Sequence, residues 1–329
     1  MKRSRWSGYQ SILAGDIEAY VTAKRALGRR FDQEESGLRL LDRFLVQQRI
    51  RGRHQITSAL LERFLLSRPR RSPRSYNELL GHIRRLLKWL MIHRELRSLP
   101  RLPRPRRRTG TRFPFIFDRV SAKRLLEQAA ALEDSDNARN RGPTYRVIFA
   151  LLYGLGLRVS ELCQLEYRDI DFDRHLLCIR RGKFGKKRLV PFGPRVAAAL
   201  AEHVQRNDHQ FGTPLPESPV FSFDGRKPIN RHSINRVFRD LVCVLDLPRP
   251  PGVGFPRTHD LRHSCAVGAL LRWYRSGIDP STRLLHLSTF LGHVDVSSTA
   301  VYLTMTPELL REANLRFERF TKQAVGSCP

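Results

Sequence analysis

Cysteine is scarce and poorly placed for chemistry. Cys163, Cys178, Cys243, Cys265 and Cys328 are scattered, odd in number and never in C-x-x-C spacing. That pattern argues against a disulfide scaffold and a zinc site, and for the reducing cytoplasm. Acidic residues are also few, 31 Asp and Glu against 60 Lys and Arg, and no carboxylate cluster stands ready to hold a divalent metal. No metal and no other cofactor is therefore expected. Long apolar runs are missing: none approaches the ~18 residues of a membrane span. The opening stretch MKRSRWSGYQSILAG lacks the apolar core of a signal peptide. No basic amphipathic helix with aromatic anchors is evident either, so a membrane partner is not expected. Lysine is rare as well, with nine positions in the chain.

What the chain has is arginine. A formal net charge of +29 repels itself, and a polyanion, nucleic acid first, is the partner that offsets it. Residues 1–112 hold 28 Lys/Arg and 9 Asp/Glu, a net of +19, so about two thirds of the excess lies in the first third of the chain. Arginine suits phosphate because its planar fork gives two parallel hydrogen bonds. It is a poor proton donor, since its pKa exceeds ~12. Each lysine in so arginine-rich a chain therefore draws notice.

With 329 residues, 41% of them hydrophobic, the chain has material for about two domains with real cores. Apolar spacing of three to four predicts helix over 14–48, 57–66 and 76–90. The intervening RPRRSPRS forbids a continuous helix. Residues 100–112 (PRLPRPRRRTGTR) carry three prolines and six arginines and read as an extended, solvated linker. As a basic strap, its Arg104, Arg106, Arg107 and Arg108 are candidate DNA contacts. Beyond it, helices are expected over 120–131 and 145–153. β signals follow over 169–173, 176–180 and 188–192, with RGKFGKK as the turn. Further helices are expected over 233–245, 260–274, 284–292, 297–303 and 307–321. The domain organisation is thus 1–99, a linker over 100–112, and 113–329. The fold class is mainly α with a small antiparallel β-sheet.

Single motifs are weak. A His-x-x-Arg pair occurs three times, at His82, His203 and His259, so the pair formed with Arg262 proves little alone. Arg158 reads as opening a helix after a Gly-x-Gly turn, where the dipole does not favour a cation. Local conflicts of that kind cluster at functional sites. Lys183, Lys186 and Lys187 are a third of all the lysines, gathered in one hairpin tip. His293 follows Gly292, and Tyr302 lies nine residues on. On spacing alone Tyr302 reads as a core residue.

In order, R-V-S-E-L, R-G-K-F-G-K-K-R-L-V-P, H-D-L-R-H, and L-G-H nine residues before a Tyr resemble the tyrosine recombinase (phage integrase) family. The resemblance covers roughly residues 113–305, and the basic segment before it resembles that family's core-binding domain. One departure is the insertion WYRSGIDPSTRLLHLS between Arg262 and His293. The resemblance implies a two-domain clamp on double-stranded DNA, with an α+β catalytic domain. Tyr302 would be the nucleophile, giving a 3′-phosphotyrosyl link. Arg158, Arg262 and His293 would bind the phosphate. Lys183 would protonate the leaving 5′-oxygen, with Lys186 and Lys187 as phosphate contacts. His259 would accept the tyrosine proton or orient the phosphate. Glu161 is expected in support and His263 as a structural histidine. A homotetramer or mixed tetramer on synapsed DNA is implied, with an accessory recombinase or architectural protein as a further partner. Leu309, Leu310, Ala313, Phe317 and Phe320 form a stripe suited either to a neighbouring subunit or to the chain's own domain. The rival readings are a type IB topoisomerase-like DNA relaxation enzyme and a catalytically silent DNA-binding regulator.

Overall fold

The computed structural model describes residues 8–28, 31–70, 72–93, 98, 100–107, 113–180, 182, 187–304 and 306–325. The chain divides into two compact units, Met1–Thr111 and Arg112–Pro329. No helix among the described residues is long and apolar enough to cross a membrane.

The first unit packs four helices: α1 (Ala14–Ala26), α2 (Asp32–Gln47), α3 (Ser58–Leu66) and α4 (Pro73–Ile92). The helix expected over 14–48 is two helices. Gly28 and Phe31 both adopt positive φ between them, which no continuous helix tolerates. Leu13, Ile17, Leu38, Leu45, Leu61, Phe64, Ile83 and Leu86 bury the shared apolar faces. The buried Asp42 carboxylate accepts the backbone N–H groups of Gln10 (3.1 Å) and Ser11 (2.8 Å) and so anchors the chain entering α1. Thr57 caps α3, and Ser72 caps α4 with Pro73 in its first turn. The expected linker has no helix or strand over 100–107 and is exposed over 104–107, yet it is pinned at one point. Arg106 and Asn77 exchange two hydrogen bonds (2.8 and 2.9 Å), and the Arg106 guanidinium lies 4.0 Å from the Tyr76 ring centroid.

The second unit is helical around one small sheet. Helices α5 (Arg119–Ala130) and α6 (Arg141–Gly154) lead to the single turn α7 (Val159–Leu162). Strands β1 (Ile170–Asp171), β2 (Leu176–Ile179) and β3 (Arg188–Pro191) form an antiparallel meander in sequence order. Its register pairs Ile170 with Leu177 and Cys178 with Leu189. There follow α8 (Pro194–Phe211), α9 (Arg231–Leu245), α10 (Thr258–Arg275), α11 (Pro280–Leu291), the single turn α12 (Ser297–Ala300) and α13 (Pro307–Val325). Helix α8 has no counterpart among the helices expected from sequence. Its interior is alanine-rich, and of its apolar side chains only Leu200 is fully buried, so the stripe that reveals the other helices is thin. The apolar faces of α5, α6 and α9 meet through Leu125, Ile148, Phe149, Leu152, Phe238 and Leu241. A second cluster joins α10, α11 and the start of α13 through Leu270, Leu291, Tyr302 and Leu309. Of the stripe on α13, Leu309 is buried in its own unit, while Leu310 and Phe317 are exposed.

The α5–α6 junction leaves no room for a side chain at Gly142. A Cβ there would collide with the Ala130 carbonyl oxygen and lie 2.9 Å from that of Leu132, both fixed backbone atoms. We expect Gly142→Ala to cost about 1–3 kcal/mol through overpacking, read as an earlier urea transition of the second unit. An unshifted transition would show that the junction opens freely.

Candidate active site

The site is assembled where α7, β3, α10 and the turn after α11 converge on one buried carboxylate. Glu161 lies on α7 with its side chain almost wholly buried. Its carboxylate accepts two parallel bonds from Arg188 (2.8 and 2.9 Å), one from the Arg158 guanidinium (2.6 Å) and one from the Arg158 backbone N–H (3.0 Å). Burial pushes this carboxyl up, but the Arg188 hydrogen bonds and charge, together with Arg158, outweigh it and hold the pKa at about 2. Arg158 also donates to the Gly292 carbonyl (2.7 Å), and Arg188 to that of Phe290 (2.9 Å). Both arginines thus fix the turn that carries His293.

Arg262 lies on α10 and is the largest fully buried side chain of the chain's described residues. It donates to the carbonyls of Gly156 (2.6 Å) and Leu291 (2.5 Å), while its Nε has no partner among the described residues. Burial, and next the charge of Arg158, lower its pKa to about 10, so it stays cationic near neutrality. The two turns that supply those carbonyls are closed by glycines at positive φ. A Cβ on Gly156 would meet Leu291 Cδ2 at 2.7 Å, and one on Gly292 would meet the Arg188 guanidinium at 2.9 Å.

The remaining expected residues gather round this pair of arginines. His293 Nδ1 lies 2.7 Å from the Thr299 hydroxyl, and its ring stacks on Tyr302 with centroids 6.3 Å apart. Burial, followed by the charges of Arg262 and Arg158, lowers the His293 pKa to about 4. Tyr302 sits in the 3-10 turn Val301–Thr304 and is buried. Burial raises its phenol pKa against the pull of Arg262 and Arg158. His259 is exposed at the rim of the group, in edge-to-face contact with His263. Desolvation, then the charges of His263 and Arg262, push it down.

One expectation needs correction. The helix after Arg158 is a single turn, so its dipole is small, and the residue is held by Glu161 and Gly292 instead. His263, expected as a satisfied structural histidine, has its hydrogen bond from a site residue: its Nδ1 lies 2.8 Å from the Tyr302 hydroxyl. Arg188 was not among the expected site residues. The signal for it is an inverted alternation on β3, where Arg188 and the buried Val190 share the inward face while Leu189 points out. Lys183 and Lys186, like Arg108 of the basic strap, lie outside the described residues. Lys187 is described, just before β3. Among the described residues no group of three or more His, Cys, Asp or Glu could hold a metal ion.

Removing Arg188 leaves Glu161 buried with half its partners. We expect Arg188→Ala to destabilise the second unit by about 3–5 kcal/mol at pH 7. In the native protein the depressed Glu161 contributes stability that is complete above the ordinary carboxylate pKa of 4.5 and is lost as pH falls through about 2. Without Arg188 the burial effect dominates and that loss should begin at higher pH. Urea titrations at pH 7, 5 and 3 measure both. An acid limb unchanged from wild type would show that Arg158 alone sets the Glu161 charge.

The comparisons with known proteins agree with one another. The phage integrase family matches residues 119–308. The chain is 32% identical over 310 residues to the integrase/recombinase y4rB of Sinorhizobium fredii, covering 92% of this chain and 96% of that one. It is 30% identical over 245 residues to the tyrosine recombinase XerA of Pyrococcus furiosus, covering 74% and 73%. Among solved structures, the Tn1549 transposon integrase in complex with transposon right end DNA superposes with a TM-score of 0.62 at 18% identity, covering 93% of this chain and 99% of that one. A lambda integrase dimer bound to a COC′ core site gives 0.62 at 15% identity, covering 89% and 95%. At those identities the structural likeness speaks for the fold, whereas family match and sequence identity over nearly the full length speak for descent. On that ground the chain belongs to the phage integrase family and is a site-specific recombinase of the tyrosine type.

Proposed function

We propose that the protein cleaves and rejoins double-stranded DNA through a 3′-phosphotyrosyl link to Tyr302 and exchanges strands between two duplex sites. The observation that carries this reading is the charge imbalance of the buried cluster. Arg158, Arg188 and Arg262 face one carboxylate, Glu161, and the buried Arg262 Nε has no partner among the described residues. Desolvated positive charge in excess is a site for an anion, and the tyrosine within that field makes a phosphodiester the fitting one. The family's chemistry and the solved relatives in complex with DNA support the same partner.

In this reading Arg158 and Arg262 bind the non-bridging oxygens, where charge grows in the transition state. His293 is neutral. In the tautomer in which Nδ1 accepts from the Thr299 hydroxyl, its proton sits on Nε2 and is free to donate to the same phosphate. Glu161 and Arg188 hold Arg158 and the His293 turn in place. Lys183 protonates the departing 5′-oxygen, which arginine cannot do, while Lys186 and Lys187 contact phosphates. His259 orients the phosphate from the rim. The first unit acts as the core-binding domain, its arginine excess and the strap residues Arg104, Arg107 and Arg108 gripping the backbone, so that binding weakens steeply with salt. Strand exchange calls for four protomers on synapsed DNA. The exposed Leu310 and Phe317 of α13 are the face that reaches a neighbour. The free cysteines, Cys163, Cys178, Cys243 and Cys265, fit the cytoplasm.

Tyr302→Phe should abolish covalent attachment and leave DNA affinity within about twofold, since one hydroxyl is lost among many phosphate contacts. A suicide substrate nicked beside the cleavage point traps the wild-type adduct. An adduct formed in undiminished yield by the phenylalanine variant would place the nucleophile elsewhere.

Lys183→Ala should slow cleavage by about 10²-fold or more, the scale of a lost general acid. A 5′-phosphorothiolate leaving group should restore most of that rate, because sulfur departs without a proton. Restoration seen for Lys186→Ala instead would move the acid three residues along the hairpin.

A further inference from the structure

A phenol attacks phosphorus well only if its proton is accepted as it attacks. Burial raises the Tyr302 pKa, so the hydroxyl will not ionise near neutrality unaided. Its hydrogen-bond partner among the described residues is His263 Nδ1, at 2.8 Å. The two rings meet at 5.5 Å between centroids, and His263 in turn packs edge-to-face on His259 at 4.7 Å. His259, the other histidine of α10 near the site, has no described hydrogen bond to the phenol. His263 follows Arg262 directly in the sequence. The same helical turn therefore presents the phosphate-facing guanidinium and the ring that meets the nucleophile. Burial, followed by Asp260 acting the other way and by the charges of Arg257 and Arg262, sets the His263 ring below its ordinary value. The ring is accordingly neutral near pH 7, and in the tautomer that carries its proton on Nε2 the Nδ1 lone pair faces the phenol.

We propose that His263, and not His259, is the general base that takes the Tyr302 proton. The phenol oxygen bonds to phosphorus as its proton passes to His263 Nδ1. The bond from phosphorus to the 5′-oxygen breaks, and that oxygen takes its proton from the lysine of the hairpin. On rejoining, the 5′-hydroxyl attacks, the phenolate leaves, and His263 returns the proton to it. The ring gains one charge as the lysine loses one, so the step is balanced within the site and needs no co-reactant. This inference rests on Tyr302 being the nucleophile, and its test is built to fail separately.

Single-turnover cleavage of the nicked suicide substrate by the full chain provides the measurement. Asparagine at 263 offers an acceptor oxygen near the place of Nδ1 but cannot take up a proton. His263→Asn should fold with a near-native melting temperature, bind DNA normally and cleave about 10²-fold or more slowly. The 5′-phosphorothiolate substrate should not restore it, because that substrate replaces the acid and not the base. Replacing Tyr302 by a fluorinated tyrosine of lower pKa should restore much of the rate in the asparagine variant, and added imidazole should do so in His263→Ala. Cleavage by His263→Asn at the wild-type rate would overturn the proposal and leave the contact a resting hydrogen bond. Faster cleavage by either variant would also overturn it, by making the contact a latch. A slow asparagine variant indifferent to fluorotyrosine would assign His263 to packing alone. If Tyr302→Phe itself still forms adduct, the nucleophile assignment fails first.

Discussion

Everything in the second unit's site depends on keeping guanidinium groups out of water. A buried cation is costly unless its protons are bonded and its charge answered. Arg262 solves the first problem in part, with two backbone carbonyls, Gly156 and Leu291, and its Nε has no partner among the described residues. Arg158 and Arg188 solve both with Glu161 and further carbonyls at Phe290 and Gly292. These acceptors come from the turn before α7 and the end of α11, more than 130 residues apart in the chain. The solvation of three arginines therefore dictates how two distant turns close, and the closed turns place His293 and Tyr302. The structure answers the charge only in part: among the described residues Glu161 alone is the carboxylate that Arg158 and Arg188 share, and Arg262 is bonded to backbone carbonyls.

The glycines show how tightly this closure is drawn. Gly156 and Gly292 both take positive φ, and both lack room for a methyl group because the arginine ligation brings Leu291 and Arg188 against them. The G-x-G and L-G-H motifs are thus less about flexibility than about the approach of backbone to side chain. A β-carbon at either would push a carbonyl away from its guanidinium and leave that arginine short of one of its acceptors.

Much of the fold was legible because its signals are local. Amphipathic spacing marks α2, α4 and α9 and an apolar run marks α6, although α4 starts at Pro73, three residues before the expected point. The hairpin pattern marks β2 and β3. What escaped was decided by contacts across the chain. Helix α8 buries one large apolar side chain, Leu200, among alanines, and the break between α1 and α2 rests on two positive-φ residues, one of them Phe31. For the site, ordered motifs pointed to Arg158, Arg262, His293 and Tyr302, and the structure gathers all four. Arg188 was hidden because a strand arginine ordinarily faces solvent. The His263 contact was hidden because only the tertiary fold brings Tyr302 back over α10.

Arginine serves two ends in this chain, and burial separates them. In the first unit Arg25 and Arg39 share Glu35, Arg53 pairs with Asp16, and Arg85 with Glu34. Each of these arginines keeps at least a third of its side chain exposed, so each pair contributes only about 0–1 kcal/mol to stability. Their effect is to engage Asp16, Glu34 and Glu35, while most of the unit's arginine excess has no carboxylate to match it. In the second unit the same side chain, buried, becomes a structural and electrostatic element whose removal uncovers a charge. A lysine could replace many of the former. It could replace none of the latter, because no ammonium reaches two carbonyls or a whole carboxylate in one plane.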